Sequence, residues 1–310
     1  MQPLEYIHGL QHIGQTHRAD TTQRQEQRSM GRLDGKRIVI TGSSRSLGRH
    51  FALACAAEGA SLIVNGTNDA ALAAVAQEIA ALGTPVHAVP GSVAETQVCN
   101  ALIETCVDKF GGIDVLVNNA GIVRDRTLLK MSDEDFDAVI AVNLRGPFLC
   151  MRRAAQAMVA QGSGHIIQIT SASGLVGNFG QTNYAAAKAG LMGMMYTATK
   201  ELARYNVRCN AMWPVARTDM TQPLIDKSGK SAAELGFGEP QDVARGLVWL
   251  ASDAASGFNG QCLTFNGQKT ALWHSPSEAY VKQEQHPISI EELEDYYAGL
   301  APVPIYSSRD

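Results

Sequence analysis

The stretch RIVITGSSRSLGRHFALACAAEG, residues 37–59, joins an apolar run to an alanine-rich segment through a turn of small residues. The run RIVIT (37–41) predicts a buried β-strand, and residues 47–58 predict a helix that Gly59 ends. A turn without bulky side chains between a strand and a helix lets backbone N–H groups approach a phosphate, and the helix dipole adds to the attraction. A serine- and glycine-rich turn that binds nothing is the alternative.

Strand-like and helical segments alternate along the rest of the chain. Further strands are predicted at residues 62–65, 86–89, 114–118, 165–170, 207–212 and 261–266. Unbroken apolar strands that alternate with helices predict an α/β fold with a doubly wound parallel sheet, Rossmann-like in class. Such sheets bind ligands beyond the carboxyl ends of their strands. Two predicted helices have two candidate caps each, Asn68 or Asp69 for one and Ser132 or Asp133 for the other.

Composition and charge exclude several classes of protein. The chain has 310 residues and a formal net charge of −4. That balance gives no reason to expect nucleic acid or a membrane surface as a partner, and no apolar run approaches the roughly 18 residues that span a bilayer. The six cysteines are scattered without metal-ligand spacing. We therefore expect reduced thiols in a cytoplasmic protein, with no metal site.

One domain with two terminal extensions is expected. Residues 1–30 are rich in Gln, His, Arg and Thr and lack the apolar segment of a secretory signal, so they predict a disordered tail. Residues 31–270 carry the alternating strands and helices. Residues 271–310 contain several aromatic side chains, which need burial, so this extension is expected to pack on the domain or on a neighbouring subunit. Closure over the active site is the other interpretation of the extension.

A second stretch, TSASGLVGNFGQTNYAAAKAGL (170–191), raises the question of chemistry because it holds Ser171, Tyr184 and Lys188. Tyr184 and Lys188 stand four apart among strong helix formers, so they share one helix face. An ordinary Tyr has a pKa of ~10, and an ammonium about 4 Å away contributes roughly 3 pKa units, with desolvation acting the other way. Such a phenol can serve in acid–base chemistry. Taken alone, each of the three residues more often has a structural role: Tyr in packing, Lys at the solvent-exposed surface and Ser in a turn.

These motifs together resemble the short-chain dehydrogenases/reductases. The turn TGSSRSLG (41–48) is similar to the family's Thr-Gly-x-x-x-Gly-x-Gly turn, with Gly42 and Gly48 matching. Ser46 stands where the middle glycine is usual; it either hydrogen-bonds the cofactor pyrophosphate or tightens the turn. NNAG (118–121) matches a motif that lines the cofactor cleft. The resemblance implies that residues 31–270 form a dinucleotide-binding catalytic domain.

The resemblance also implies a catalytic set of four residues. Tyr184 would be the acid–base group, and Lys188 would lower its pKa and hold the cofactor ribose. Ser171, at the end of a predicted strand, would polarise a carbonyl. Asn143, in AVNLRGPF, would hold a water that links the lysine to solvent. An asparagine in the middle of a helix otherwise marks a kink or a side-chain bond to the backbone.

The cofactor implied by the resemblance is NADP, with NAD possible. Gly66 ends the second strand, where an acidic residue would oppose a 2′-phosphate, and Arg45 matches a basic turn residue of NADP-using members. The carboxamide contact is open between Thr218 and Thr221. The implied cofactor contacts are Gly42, Ser44, Arg45, Ser46, Leu47, Gly48, Thr67, Val93, Asn119, Ala120, Gly121, Tyr184, Lys188 and Thr218.

Several stretches, among them NVRCNAMWP (206–214), look closest to the 3-oxoacyl-carrier-protein reductases and to the 3-hydroxyacyl-CoA dehydrogenase part of peroxisomal multifunctional enzyme type 2. This implies hydride transfer between NADP(H) and a carbonyl/secondary alcohol pair, with a 3-oxoacyl thioester as the best substrate. Two alternatives remain: a reductase of a cyclic ketone, steroid or polyketide, and a nucleotide-sensing protein without turnover.

The resemblance further implies an oligomer and a lid. Family members usually pair through the helices that carry Asn143 and Tyr184, so a homodimer or homotetramer is expected. Residues 221–238 should cover a small-molecule substrate as a mobile lid, with Gly229 and Gly236 as hinges. A plain surface helix is the alternative for this segment.

Overall fold

A computed structural model describes residues 31–274, 281 and 287–298. The expected disordered tail, residues 1–30, and parts of the C-terminal extension lie outside this description. The strands are β1 Arg37–Ile40, β2 Ser61–Gly66, β3 Val86–Pro90, β4 Val115–Asn118, β5 Gly164–Ile169, β6 Val207–Pro214, β7 Cys262–Phe265 and β8 Thr270–Leu272. They form one sheet in the order β3-β2-β1-β4-β5-β6-β7-β8. All pairs are parallel except β7 with β8.

Helices cover both faces of this sheet. They are α1 Ser46–Ala57, α2 Asp69–Ala81, α3 Thr96–Phe110, α4 Asp133–Ile140, α5 Gly146–Gln161, α6 Ser173–Val176, α7 Thr182–Leu202, α8 Gln222–Ser228, α9 Pro240–Ala251 and α10 Ile290–Ala298. A π-helical turn, Ala141–Arg145, joins α4 to α5. Of the candidate caps, Asn68 and Ser132 are the ones whose side chains accept a backbone N–H.

Two hydrophobic cores, one on each face, hold the layers together. Ile38 and Ile40 of β1 belong to the core under α1 and α9, and Val39 between them belongs to the core under α3, α5 and α7. Successive strand side chains point to opposite faces, so a strand buried on both faces is apolar throughout. Each such side chain contributes about 1.5–3 kcal/mol through burial. The doubly wound, mostly parallel fold expected from the sequence is confirmed.

The sheet continues past residue 270, where the sequence suggested that the domain ends. β8 pairs antiparallel with β7, and Trp273 donates from Nε1 to Thr264 Oγ1 at 2.7 Å. The rings of Trp213 and Trp273 lie 5.2 Å apart. A strand of three residues is too short to show a hydrophobic period, so it could not be predicted from the sequence. Helix α10 has no buried residue, and packing on a neighbouring subunit stays a prediction.

The cysteines, the acidic and histidine side chains and the helices of the described residues bear on other kinds of site. All six cysteines are buried and free. No group of three or more His, Cys, Asp or Glu side chains in residues 31–274, 281 and 287–298 could hold a metal ion. Within the same residues, no helix is both long and apolar enough to cross a membrane.

The turn between β1 and α1 is packed too closely for side chains at two positions. A Cβ on Gly42 would lie 2.6 Å from Ala120 Cα, and a Cβ on Gly48 would lie 2.2 Å from the Gly42 oxygen. Gly42 also has a φ of 64°. Ser46, between them, has a φ of 49°, in the left-handed region that disfavours any residue with a Cβ. The position is therefore a natural one for glycine, and the serine occupies it at a cost.

Replacing Ser46 should reveal this cost as a change in the free energy of unfolding. We expect Ser46→Gly to be more stable to unfolding than Ser46→Ala by about 0.5–1 kcal/mol, because alanine keeps the Cβ at positive φ while glycine removes it. Urea unfolding of the two variants and the parent protein measures the difference. Equal stability of the two variants would contradict the strain assigned to this position.

Candidate active site

The glycine turn and the end of β4 are joined at the carboxyl edge of the sheet. The side-chain amide of Asn119 donates to the backbone oxygens of Thr41 and Gly42 at 2.9 and 3.0 Å. The hydroxyl of Thr41 accepts the N–H groups of Asn119 and Ala120, each at 3.0 Å. These four bonds satisfy polar groups at two strand ends and fix the turn against β4. The NNAG motif therefore supports the turn, and its contact with a cofactor stays a prediction.

Tyr184, Lys188 and Ser171 meet at the same edge. Tyr184 and Lys188 lie on α7, and the Lys188 Nζ is 5.5 Å from the centre of the tyrosine ring. The lysine is 3% exposed and donates from Nζ to the Ile169 oxygen, at the end of β5, at 2.7 Å. Ser171, two residues beyond Ile169, hydrogen-bonds the Tyr184 hydroxyl. The helix spacing and the strand end thus bring together the three residues that the sequence singled out.

Burial governs the ionisation of this pair. Burial raises the pKa of Tyr184 to about 12, the hydrogen bond with Ser171 lowers that pKa, and the charge of Asp125 raises it. Burial also lowers the pKa of Lys188 to about 8. The lowered phenol pKa expected from the sequence is therefore wrong for this structure. Desolvation of both groups outweighs the attraction between an ammonium and a phenolate at this separation.

Asn143 lies in the π-helical turn between α4 and α5 and is fully buried. Its side chain accepts the Ile122 N–H and donates to the Ile122 oxygen, both at 2.8 Å. The helix is thus distorted at the expected residue, and the amide supports the loop after β4. π-turns of this kind are frequent at functional sites. A role for Asn143 in a proton relay stays a prediction.

The end of β2 has no room for a side chain. A Cβ on Gly66 would lie 2.4 Å from the Ser44 Oγ, so the serine occupies the place where an acidic side chain would begin. The next residue, Thr67, is exposed. Arg45 is also exposed, and its Nη1 lies 4.0 Å from Asp219 Oδ2. The guanidinium of Arg45 and the hydroxyl groups of Ser44 and Thr67 are thus available to the adenosine end of a dinucleotide. No carboxylate is present at the end of β2.

The remaining predicted contacts differ in their surroundings. Leu47, in the first turn of α1, packs against the core, and Val93 after β3 is 3% exposed. A Cβ on Gly121 would lie 3.6 Å from Asn143 Oδ1. Beyond β6, the Thr221 hydroxyl donates to the Ala216 oxygen at 2.9 Å and accepts the Thr218 N–H at 2.8 Å. The Thr218 hydroxyl is engaged in the same loop, because it accepts the Thr221 N–H at 3.3 Å and lies 3.2 Å from Thr221 Oγ1. The carboxamide contact stays open between Thr218 and Thr221.

The segment expected to be a lid contains one short helix between turns. Helix α8 ends at Gly229, which has a φ of 68°, and Gly236 has a φ of 76°. Leu224, on this helix, is 54% exposed. Both glycines adopt a conformation that suits them for turns. Movement of the segment over a substrate stays a prediction.

Sequence analysis missed a row of polar residues beside the catalytic trio. Ser173 donates from Oγ to Gln181 Oε1 at 2.7 Å, and Gln181 donates from Nε2 to Asp125 Oδ2 at 2.9 Å. Gln181 could have been suspected from its place one turn before Tyr184. Nothing in the sequence marks Asp125, because it comes from the loop after β4, 56 positions away.

Comparisons with known proteins agree with this geometry. Residues 36–229 match the family described as short chain dehydrogenase. The 3-oxoacyl-[acyl-carrier-protein] reductase of Synechocystis is 44% identical over 242 residues, which are 77% of this chain and 98% of that protein. The reductase of the same description from Thermotoga maritima is 41% identical over 76% of this chain and 98% of that protein.

A solved structure is similar over most of the chain. It is a short chain dehydrogenase from Mycobacterium avium, with a TM-score of 0.78 and 36% sequence identity, and the match covers 90% of this chain and all of that one. The resemblance drawn from the glycine turn, NNAG and the Ser–Tyr–Lys set is confirmed. The chain therefore belongs to the short-chain dehydrogenase/reductase family and is an oxidoreductase that acts on carbonyl or CH–OH groups.

Proposed function

We propose that this protein reduces the carbonyl group of a 3-oxoacyl thioester with NADPH. The observation that carries the proposal is the cluster of Ser171, Tyr184 and the buried Lys188 at the sheet edge that also holds the glycine turn. The substrate class is supported by the relatives from Synechocystis and Thermotoga maritima, which are described as 3-oxoacyl-[acyl-carrier-protein] reductases. A nucleotide-sensing protein would have no need of a buried lysine beside two hydrogen-bonded hydroxyl groups.

The residues around the turn fit a phosphorylated dinucleotide. Gly42 and Gly48 leave the backbone bare where α1 begins, which suits a pyrophosphate. Arg45 and Ser44 would hold the 2′-phosphate, since Gly66 brings no carboxylate to oppose it. Bound NADPH supplies the hydride for the carbonyl carbon.

The chain's own residues then manage the proton. Ser171 donates a hydrogen bond to the carbonyl oxygen, and Tyr184 gives its proton to that oxygen as negative charge develops there. The raised pKa of about 12 keeps the phenol protonated at neutral pH, and a phenol with that pKa needs a nearby cation to give up its proton. Lys188, with a pKa of about 8, is mostly cationic at neutral pH and stabilises the phenolate left behind. Asn143 supports the path by which solvent restores the proton.

A homodimer or homotetramer is part of the proposal. Phe148 of α5 is 41% exposed, at a groove of about 380 Å³ between α5 and α7 that is also lined by Met151, Ala155, Leu202 and Tyr205. An apolar surface of this kind suits burial against a second copy.

Light scattering should give a mass two or four times that of one chain, and a single-chain mass would contradict the proposal.

Removing the phenol hydroxyl tests the proposed chemistry. Wild-type protein should oxidise NADPH faster with acetoacetyl-CoA than with a panel of cyclic ketones. Tyr184→Phe should lower kcat by about 10³-fold, because the proton donor is gone, while NADPH binding followed by cofactor fluorescence is kept. Tyr196→Phe, on the same helix, is the matched control and should keep wild-type turnover. Full activity of Tyr184→Phe would remove this residue from the mechanism, and preference for cyclic ketones would replace the substrate class.

Removing the guanidinium tests the choice of cofactor. Arg45→Ala should raise the KM for NADPH by roughly 10–100-fold, because a charge-assisted hydrogen bond to the 2′-phosphate is lost. The KM for NADH should stay nearly unchanged. Arg245→Ala on α9, whose side chain is also exposed, serves as the control for loss of a surface charge. Steady-state kinetics with both cofactors give the answer. An equal effect on the two cofactors would contradict recognition of a 2′-phosphate by Arg45.

A further inference from the structure

We infer that Gln181 is a positioning residue: held by Asp125, it orients the hydroxyl of Ser171 through Ser173. The inference rests on the proposed function, because it concerns the group that polarises the carbonyl. It adds three positioning residues: Asp125 from the loop after β4, and Ser173 and Gln181 from the segment between β5 and α7. None of the three needs to contact the substrate for this role.

Hydrogen-bond polarity is set first at Ser173. Its hydroxyl donates to Gln181 Oε1 at 2.7 Å, the shortest bond of the row. A hydroxyl has only one hydrogen, so the Ser173 oxygen can act only as an acceptor toward Ser171. Ser171 accordingly donates to Ser173 Oγ at 3.4 Å and accepts the Ser173 N–H at 3.2 Å.

This polarity makes Ser171 a donor. Its oxygen accepts the Ser173 N–H, and its single hydrogen is held by the bond to Ser173 Oγ, so that hydrogen is the one that Ser171 can offer to a carbonyl oxygen. The bond to Ser173 Oγ, at 3.4 Å, is long for two hydroxyl groups and is readily exchanged for a stronger one. A carbonyl oxygen that accepts a hydrogen bond from Ser171 therefore replaces only the long bond to Ser173 Oγ. The Ser173 hydroxyl does not have to be displaced as a competing donor.

Asp125 decides which way the Gln181 amide faces. A carboxylate only accepts hydrogen bonds, so the side that meets Asp125 Oδ2, at 2.9 Å, must be the NH₂ group. The amide oxygen is then directed to Ser173, and Asn178 also donates to it at 3.1 Å. An amide held by neutral groups alone could turn over and offer a donor to Ser173 instead.

The backbone keeps Asp125 in place. The N–H of Arg126 donates to the Gly180 oxygen at 2.9 Å, which ties the loop after β4 to the loop before α7. Asn183, in the first turn of α7, donates to the Arg124 oxygen at 3.0 Å. The carboxylate and the amide are thus fixed from both sides of the site.

Gln181 has no ordinary helix-capping role that would explain its position. It is the N-cap residue of α7, yet its side chain makes no capping hydrogen bond. Helix caps usually use that side chain for the first free N–H groups. Here it turns instead toward Ser173 and Asp125, which is what a positioning role requires.

Kinetics of single and double variants test the inference. Gln181→Ala should lower kcat for acetoacetyl-CoA about tenfold with NADPH binding unchanged, because Ser171 loses its fixed direction. In a Ser171→Ala background, Gln181→Ala should lower kcat no further, because the group on which it acts is gone. Gln77→Ala, at an exposed position of α2, is the matched control and should leave kcat unchanged.

The carboxylate is tested by a conservative pair. Asp125→Glu keeps a carboxylate that only accepts from Gln181 and should retain most of the wild-type kcat. Asp125→Ala removes the acceptor and should match Gln181→Ala. A purely structural loss would lower thermal stability and kcat in both aspartate variants without this rescue.

The outcomes separate the inference from the function on which it rests. Wild-type kcat in Gln181→Ala, or a further loss in the Ser171→Ala background, would overturn the positioning role while the proposed reduction stands. Failure of the wild-type protein to reduce any 3-oxoacyl thioester would overturn the proposed function. In that case a crystal structure of Gln181→Ala still decides: the inference predicts more than one Ser171 rotamer, and a single wild-type rotamer would refute it.

Discussion

The site depends on a lysine of α7 that is buried against the end of β5. Lys188 is 3% exposed, and its Nζ reaches the Ile169 oxygen at 2.7 Å. A buried ammonium costs several kcal/mol unless it is hydrogen-bonded, so the surrounding fold must supply that bond. Close packing makes this possible, since a Cβ on Gly174 would lie 2.5 Å from the Lys188 carbonyl carbon. With the lysine fixed, the helix places Tyr184 and the strand end places Ser171.

Burial has opposite effects on the two ionisable groups, and both effects suit reduction. It raises the pKa of Tyr184, so the phenol keeps the proton that it must give. It lowers the pKa of Lys188 to about 8, which leaves a cation at neutral pH that can turn neutral only a little above it. The same sheet edge holds the glycine turn, which packs closely against Ala120 at Gly42. Proton donor and cofactor cleft therefore meet because parallel strands end together.

The sequence was sufficient for the doubly wound class of the sheet and for the proximity of Ser171, Tyr184 and Lys188. The apolar residues of strands such as β1 and the strong helix formers around Tyr184 form sequence patterns that predict secondary structure whatever the tertiary packing. It was insufficient where tertiary packing decides: the three-residue strand β8, the pKa of a phenol whose burial is unknown, and the pairing of Gln181 with Asp125 across two loops. Ser46 shows the same limit, because its departure from the family's glycine is visible in the sequence while its positive φ is not.

The pH dependence of carbonyl reduction tests the role of the buried lysine most directly. Reduction needs the protonated phenol and the lysine cation, and the pKa of Lys188 is about 8. The value of kcat/KM for acetoacetyl-CoA should therefore be constant between about pH 6 and 7 and fall as the pH rises through 8 and above, because that profile reports the free enzyme. A kcat/KM that stays level or increases up to about pH 10 would contradict a catalytic cation at this position.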